Sequence, residues 1–175
     1  MTTPIRVGTP VPDFTMPAFD PIAGDFTKVS LAKQKEAGRW TILFFYPADF
    51  TFVCATEFEA LADHQDHFKK LGADIVTVSR DTQFTHLAWQ AHEKELQKVK
   101  YLMASDAVGD VGRMFGVYDE TSGLTLRGTF LISPQGTLTA SEVNFFNVGR
   151  NVEELLRKFK ANLYLSKKPT EVCPA

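Results

Sequence analysis

Apolar segments and polar segments alternate along the chain in the order expected of a mixed α/β protein. Residues 40–46 are almost continuously apolar and end at Pro47, a pattern typical of a strand buried on both faces. Apolar positions then recur at helical spacing over 58–71, Gly72 supplies a stop signal, and a second apolar strand follows at 74–79. This order predicts a parallel strand–helix–strand unit with a right-handed crossover.

The flanking segments predict the rest of one α/β domain. Residues 1–38 are punctuated by prolines and indicate strands and loops along one edge of the sheet. Thr82 or Thr85 is the expected cap of another helix, whose apolar stripe comprises Phe84, Leu87, Ala88, Ala91 and Leu96. The remaining predicted elements are a strand at 101–103, a helix over 108–115, strand segments at 124–127, 129–132 and 137–144 around a turn at 133–136, and a helix capped by Asn151.

We therefore expect a central mixed sheet flanked by helices, with an ordered domain over 1–165. The polar segment 166–175 has little to bury and is expected to form a mobile C-terminal arm. The His residues lie on predicted helices without metal-ligand spacing, and we expect surface or capping positions for all four of them, His64, His67, His86 and His92.

Composition restricts the classes of function. The 175 residues are 44% hydrophobic and 23% charged, which fits one soluble globular domain. No apolar stretch approaches the ~20 residues of a membrane helix, and the first residues lack the apolar core of a secretory signal, so we expect a cytoplasmic protein with no membrane partner. The net charge of −2 argues against nucleic acid. The 15 Phe residues fit either a Phe-rich core or a subunit interface.

Cys54 and Cys173 are the two cysteines. A disulfide scaffold needs more of them, and paired zinc-ligand spacings are absent, so we predict no metal site and no bound cofactor. Cys54 follows the buried strand and precedes a helix, whose N-terminal N–H groups favour a thiolate over a thiol. An inert buried cysteine is the alternative. Pro47, Thr51 and Glu57 place a rigid turn, a hydroxyl and a carboxylate close to Cys54, which favours the reactive interpretation.

The segment YPADFTFVCATE at 46–57 resembles the peroxidatic motif of the typical two-cysteine peroxiredoxins, in which Pro, Thr and Cys keep this spacing. Further segments support the resemblance over most of the chain: FTHLAW at 84–89, RGTFLI at 127–132, VGR at 148–150 and EVCP at 171–174. The chain is most similar to the branch that contains the peroxidase subunits of bacterial alkyl hydroperoxide reductases. The resemblance implies a thioredoxin-like fold and reduction of hydrogen peroxide and small organic hydroperoxides.

The resemblance also implies roles for individual residues. Cys54 is the expected nucleophile, which becomes a sulfenic acid. The Thr51 hydroxyl is expected to accept from the peroxide while donating to the thiolate. Arg127 is the expected cation beside the sulfur, although a surface position on a strand is its alternative. Glu57 is expected to aim the Arg127 guanidinium.

Two further residues complete the expected site. The resemblance implies that Arg150 supplies a second cation, with a surface position again as its alternative. It also implies that Pro47 shields the pocket.

Cys173 lies in the predicted arm. A polar, mobile segment is an unfavourable place for a core cysteine and a favourable place for a thiol that must move to its reaction partner. By resemblance it is the resolving cysteine, which forms a disulfide with Cys54 of the other subunit. An incidental surface thiol is the alternative. The disulfide then needs an external dithiol donor, either a flavoprotein disulfide reductase or a thioredoxin-like protein. The resemblance further implies homodimers that assemble into a decameric ring, with a dodecamer as the variant.

The chain departs from the family at two places. Ala55 stands where the family usually has Pro, so the first helical turn gains an N–H donor, and we expect the turn to unfold at a different rate from that of a Pro-bearing relative. Residues 119–124 lack a Gly-Gly-Leu-Gly insertion, and no C-terminal Tyr-Phe helix follows Ala175. Without these segments over the active-site helix, the resemblance implies an enzyme resistant to sulfinic acid formation.

Two other classes of function are weighed against the peroxidase. A non-catalytic assembly or holdase protein could use the same fold, but it has no need of Thr51, Cys54 and Arg127 together. A Cys-His hydrolase needs a histidine placed to deprotonate Cys54, and no such histidine is evident in the sequence.

Overall fold

The strands form a single mixed sheet in the order β2-β1-β5-β4-β3-β6-β7 in the computed structural model, which describes residues 3–173. The strands are β1 (Thr15–Asp20), β2 (Asp25–Ser30), β3 (Trp40–Phe45), β4 (Ala73–Ser79), β5 (Leu102–Ser105), β6 (Arg127–Ile132) and β7 (Leu138–Asn144). The helices are α1 (Leu31–Glu36), α2 (Phe52–Lys70), α3 (Gln83–His92), α4 (Asp110–Met114) and α5 (Val152–Lys167), with a short 3₁₀ helix at Lys94–Leu96. The predicted α/β architecture is confirmed.

The predicted parallel unit forms the centre of this sheet. β3 and β4 pair in parallel from Trp40 opposite Ala73 to Phe45 opposite Val78, and α2 connects them. β6 pairs antiparallel with β3 on its other side. The crossover helix therefore begins immediately beyond the end of β3, where side chains leave the sheet.

Several local predictions are confirmed. The side chain of Thr82 accepts from the N–H of Thr85 at the start of α3, and that of Asn151 accepts from the N–H of Glu154 at the start of α5. The chain turns at 133–136 between β6 and β7. Gly72 has φ 92° after α2, a left-handed conformation that glycine adopts without steric cost.

Two apolar layers enclose the sheet because alternate residues of each strand face opposite sides. Ile42 and Phe44 of β3 pack in the layer that contains Phe58 of α2 and Phe159 of α5. Leu43 and Phe45, the intervening residues, pack in the layer on the other side. The continuous apolar pattern of β3 is thus explained by burial on both faces.

The predicted apolar stripe of α3 is wrong. Phe84 is 61% exposed, and Ala88 and Ala91 are exposed as well, whereas the helix buries His86 and Trp89. The helix also ends at His92, so Leu96 is buried from the 3₁₀ helix instead.

The surface or capping position predicted for His86 is therefore also wrong. A hydrophobicity pattern counts histidine as polar, so it cannot anticipate a histidine whose two ring nitrogens both find partners in the core.

The C-terminal helix continues slightly beyond the predicted domain boundary. α5 reaches Lys167, so the first residues of the predicted arm at 166–175 are helical. Pro174 of the EVCP segment lies outside the described residues. No helix among residues 3–173 is long and apolar enough to cross a membrane.

Candidate active site

Cys54 lies in the first turn of α2, directly after the loop that leaves β3. Its side chain is completely buried, whereas Phe52 at the start of the same helix is 86% exposed. Thr51 is the N-cap residue, and the N–H of Ala55 donates to the Thr51 carbonyl at 3.2 Å. The N–H groups of the preceding residues are unpaired within the helix and direct a partial positive charge toward the thiol.

The Arg127 guanidinium contacts the sulfur. Arg127 begins β6, the antiparallel neighbour of β3, and is 3% exposed. Its Nη1 lies 3.3 Å from Cys54 Sγ and 2.6 Å from Glu57 Oε2, and its Nε donates to the carbonyl of Phe146 at 2.7 Å. The alternative surface position is therefore excluded, since this permanent cation is buried beside the thiol.

Glu57 holds two guanidinium groups at once. It follows Cys54 by three residues and so projects from the same side of α2. Arg150 forms a bidentate pair with it, with Nε 3.0 Å from Oε1 and Nη2 3.0 Å from Oε2. The backbone N–H of Arg150 adds a third bond to Oε1 at 2.8 Å. Since Glu57 also accepts from Arg127, one carboxylate fixes both cations.

Arg150 is buried among polar and aromatic partners. Its side chain is 3% exposed, its Nη1 donates to the carbonyl of Gly128 at 2.9 Å, and its guanidinium carbon lies 3.3 Å from the centroid of the Phe44 ring. Burial lowers the pKa of Arg150, and the hydrogen bonds and charge of Glu57 oppose that decrease. The guanidinium stays charged at neutral pH because arginine is not deprotonated in proteins.

The charges of this buried cluster do not cancel. Arg127 and Arg150 carry two positive charges, and Glu57 carries one negative charge. A thiolate on Cys54 makes the cluster neutral, whereas a thiol leaves one buried positive charge without a counter-ion. The arrangement therefore places a net positive charge beside the sulfur, the kind of environment in which a cysteine becomes reactive.

The structure places the other two predicted residues on the loop before Cys54. Pro47 is buried directly after β3. The Thr51 hydroxyl donates to the carbonyl of Ala48 at 3.0 Å. The expectation that it donates to the Cys54 sulfur is therefore wrong in this structure. The oxygen lone pairs of Thr51 can still accept a hydrogen bond.

A buried polar network that the residue pattern does not reveal lies beneath this loop. Asp49 accepts from the hydroxyl of Tyr46 at 2.6 Å, and its other oxygen lies 2.7 Å from His86 Nδ1. His86 Nε2 lies 3.1 Å from the carbonyl of Ala104 and so carries a hydrogen. Burial raises the pKa of Asp49, and its bond and charge interaction with His86 oppose the increase. Asp49 lies in the segment 46–57 and His86 in the segment 84–89, which are distant in sequence and meet only in the folded protein.

The same network fixes the conformation of the loop. The backbone N–H of Asp49 donates to Asp81 at 2.8 Å, and the next residue, Phe50, has φ 57°, which non-glycine residues rarely adopt.

The partners of His86 exclude it as a base for Cys54. His86 bonds to Asp49 and to the Ala104 carbonyl, while the hydrogen bond that the structure gives to Cys54 comes from Arg127. His86 is therefore not the base that a Cys-His hydrolase requires.

Cys173 lies on the segment that follows α5 and is exposed, in contrast to the buried Cys54. The segment is folded against the last turn of the helix. Glu171 accepts from the Tyr164 hydroxyl and pairs with Lys168, whose Nζ lies 3.0 Å away. The structure thus brings Cys54, Glu57, Arg127 and Arg150 into one cluster and leaves Cys173 outside it.

Comparison with known proteins identifies relatives along almost the whole chain. The sequence model of the AhpC/TSA family matches residues 7–141. Alkyl hydroperoxide reductase C of Salmonella typhimurium is 44% identical over 169 residues, which cover 97% of this chain and 88% of the relative. The protein of the same name from Staphylococcus aureus is 44% identical over 162 residues, 93% of this chain and 85% of its own.

Solved structures show the same architecture. The crystal structure of Enterococcus faecalis AhpC superimposes with a TM-score of 0.90 at 39% identity and covers 96% of this chain and 98% of its own. The reduced 2-Cys peroxiredoxin of Plasmodium vivax also superimposes with a TM-score of 0.90, at 31% identity, and covers 98% of this chain and 89% of its own. The seven-stranded sheet and its helices are therefore the fold of these proteins.

The charge of the cluster predicts the ionisation of Cys54. Replacing Arg127 with Met removes the cation that contacts the sulfur, while Glu57 keeps its pair with Arg150. We expect the thiolate absorbance of Cys54 at neutral pH to fall several-fold, as a nearby opposite charge strongly favours the ionised form. Ultraviolet difference spectra measure this in a Cys173→Ser background.

The matched control is Arg113→Met, because Arg113 pairs with the exposed Glu120 at 2.7 Å. It should leave the thiolate signal unchanged. Equal absorbance in the Arg127 and Arg113 variants would show that the guanidinium does not control the charge of the sulfur.

Proposed function

The chain belongs to the AhpC/TSA family, and from this premise we propose that it is a thiol peroxidase that reduces hydrogen peroxide and small organic hydroperoxides at Cys54. The observation that carries the proposal is the 3.3 Å contact between Cys54 Sγ and a buried guanidinium at the start of a helix. Splitting an O–O bond needs a thiolate nucleophile and positive charge for the oxygen that leaves. This cluster contains both.

The first step forms one bond and breaks another. The Cys54 thiolate attacks the terminal oxygen of the hydroperoxide, the O–O bond breaks, and Cys54 becomes a sulfenic acid. The departing alkoxide or hydroxide is stabilised by Arg127 and takes a proton from water, so the product is an alcohol or water. Thr51 accepts the hydrogen bond of the peroxide, since its own proton is donated to the Ala48 carbonyl.

The surrounding residues hold this arrangement in place. Glu57 orients Arg127 through the 2.6 Å ion pair. Arg150 balances the charge of Glu57 and donates to the carbonyl of Gly128, the residue after Arg127. Pro47, buried at the end of β3, excludes water from the sulfur. A low-dielectric environment strengthens the interaction of the guanidinium with the developing negative charge.

Resolution then requires a second thiol. We assign this role to Cys173 of the partner subunit, whose sulfur attacks the Cys54 sulfenic acid and gives an intersubunit disulfide and water. The exposed position of Cys173 beyond α5 supports the assignment. Because Cys54 is completely buried, the first turn of α2 must open before the two sulfurs can meet.

An external dithiol completes the cycle. It reduces the disulfide to two thiols and is itself oxidised to a disulfide, so one hydroperoxide and one dithiol give an alcohol, water and the oxidised donor. The donor is a flavoprotein disulfide reductase or a thioredoxin-like protein. We place the protein in the cytoplasm, where such donors are kept reduced.

The proposed intersubunit disulfide requires a homodimer, and two exposed apolar surfaces suit assembly. β7 is an edge strand, with Val143 46% exposed and Phe145 65% exposed beyond its end. We propose that two copies pair along this edge, because the unpaired backbone N–H and C=O groups of an edge strand are a template for another chain. A second surface, on which the exposed rings of Phe26 and Phe84 lie 4.9 Å apart, would then join dimers into a decameric ring.

The edge-strand interface is tested by replacing Val143 with Lys. A charge on this edge opposes strand pairing, so we expect a smaller particle than the parent in light scattering after size exclusion. Lys70→Ala, an exposed residue at the end of α2 outside both proposed surfaces, is the control and should keep the parental mass. An unchanged mass in the Val143 variant would place the dimer contact elsewhere.

The function is tested by replacing each cysteine with Ser. Cys54→Ser should abolish peroxide consumption because it removes the nucleophile. Cys173→Ser should consume one equivalent of peroxide and then stop as a sulfenic acid. Stopped-flow measurement and mass spectrometry follow both outcomes. Sustained turnover by the Cys54 variant would contradict the proposal that Cys54 is the peroxidase nucleophile. If the Cys173 variant did not consume the first equivalent, Cys173 would be needed for the first step as well as for resolution.

The hydrogen bond of the Ala55 N–H indicates whether Pro at this position would speed or slow the opening of the first turn of α2. Ala55 is the fourth residue of α2, so Pro there removes the 3.2 Å bond to the Thr51 carbonyl and places its ring against that oxygen. We expect Ala55→Pro to open the turn more readily and to form the disulfide about fivefold faster, since a hydrogen bond contributes about 1 kcal/mol.

Quenched-flow trapping of the disulfide measures the effect of Ala55→Pro. The control is the preceding reaction of Cys54 with peroxide in the same variant, which should keep its rate if the site stays assembled. An equal or slower rate of disulfide formation would show that the extra bond does not limit opening.

A further inference from the structure

Thr125 forms a buried hydrogen bond to the segment that leads to Cys54. It lies two residues before Arg127, and its side chain is completely buried. Its Oγ1 donates to the carbonyl of Tyr46 at 2.7 Å. Tyr46 is the first residue after β3 and directly precedes Pro47. One hydroxyl therefore joins the two parts of the chain that carry the halves of the site.

The bond occurs where backbone pairing between β3 and β6 ends. The last paired residues are Phe44 and Thr129, and the same register extended by two residues would place Tyr46 opposite Arg127. Instead, the chain bends at this point, with the N–H of Gly128 donating to the carbonyl of Leu126 at 3.0 Å. The Thr125 hydroxyl thus provides a connection beyond the end of the strand ladder.

The Tyr46 side of this connection is itself rigid. The N–H of Tyr46 donates to the Val78 carbonyl at 3.0 Å, and its hydroxyl donates to Asp49 at 2.6 Å. On the other side, the N–H of Leu126 donates to the Val117 carbonyl at 2.7 Å. Since each end is fixed by its own bonds, the Thr125 bond joins two rigid segments and ties the approach to Arg127 to the end of β3.

We propose that Thr125 is a positioning residue, which holds the Arg127 guanidinium at its distance from the Cys54 sulfur. The inference rests on the proposed peroxidase function. Thr125 itself touches neither the sulfur nor the peroxide and acts through the position of Arg127. Small displacements of reacting groups have large effects on rate, because the aligned geometry supplies part of the catalysis.

The test compares Thr125→Val, which keeps the shape of the side chain but lacks the hydroxyl, with Thr125→Ser, which keeps the hydroxyl. In the Val variant, we expect Cys54 to react with hydrogen peroxide at least about fivefold more slowly than in the parent. A loss of this size is consistent with the removal of one buried hydrogen bond. The Ser variant should stay close to the parental rate. The rate is that of sulfenic acid formation, measured by stopped flow in a Cys173→Ser background.

Thr77→Val is the matched control. Thr77 is also completely buried in the sheet, and its hydroxyl donates to the Leu102 carbonyl at 3.4 Å, away from Cys54 and Arg127. It should lose a longer bond of the same type and keep the parental rate. If Thr125→Val folds poorly, as judged by circular dichroism, Thr125→Ala tests the same bond with a smaller side chain.

The proposal is overturned if the Thr125 variant without a hydroxyl reacts as fast as the parent. It is equally overturned if Thr77→Val slows the reaction as much, because the effect would then be general loosening of the sheet. Failure of the proposed function has a different result: the parent would not react with peroxide, or would react without Cys54.

Discussion

The site depends on an unequal number of buried charges. Arg127 and Arg150 face one carboxylate, Glu57, and all three side chains are almost fully excluded from solvent. A buried positive charge without a partner is costly, and the nearest group able to supply the negative charge is the sulfur of Cys54. The packing of the protein therefore places a net positive charge beside the sulfur. The start of α2 adds to the same effect through its N–H groups.

The fold supplies this cluster from three separate parts of the chain. β3 and β6 are neighbours in the sheet, so the loop after β3 and the start of β6 lie side by side. α2 then presents Cys54 and Glu57 from adjacent turns toward Arg127, and Arg150 arrives just before α5. The sequence separations are large, so the cluster forms only when the sheet is complete.

Much of this was predictable from sequence because local signals were strong. The apolar run of β3, the stop at Gly72 and the cap at Asn151 each follow from local chemistry, and the spacing of Pro47, Thr51 and Cys54 carried the resemblance that pointed to Arg127. The partners of Asp49 and His86 could not be predicted, since burial of a histidine depends on acceptors distant in sequence. The donor direction of the Thr51 hydroxyl and the connection made by Thr125 are likewise consequences of tertiary packing.

We propose that Glu57 acts on the sulfur by orienting Arg127, an effect opposite in sign to that of its own negative charge, and a double-mutant cycle tests this most directly. The rate of Cys54 oxidation by hydrogen peroxide is measured in the parent, Glu57→Gln, Arg127→Met and the double variant. Contacting residues that act as one unit show coupling of about 0.5–3 kcal/mol, so the double variant should lose much less than the sum of the single losses. Losses that add would show that the two residues act on the sulfur independently and would contradict the account.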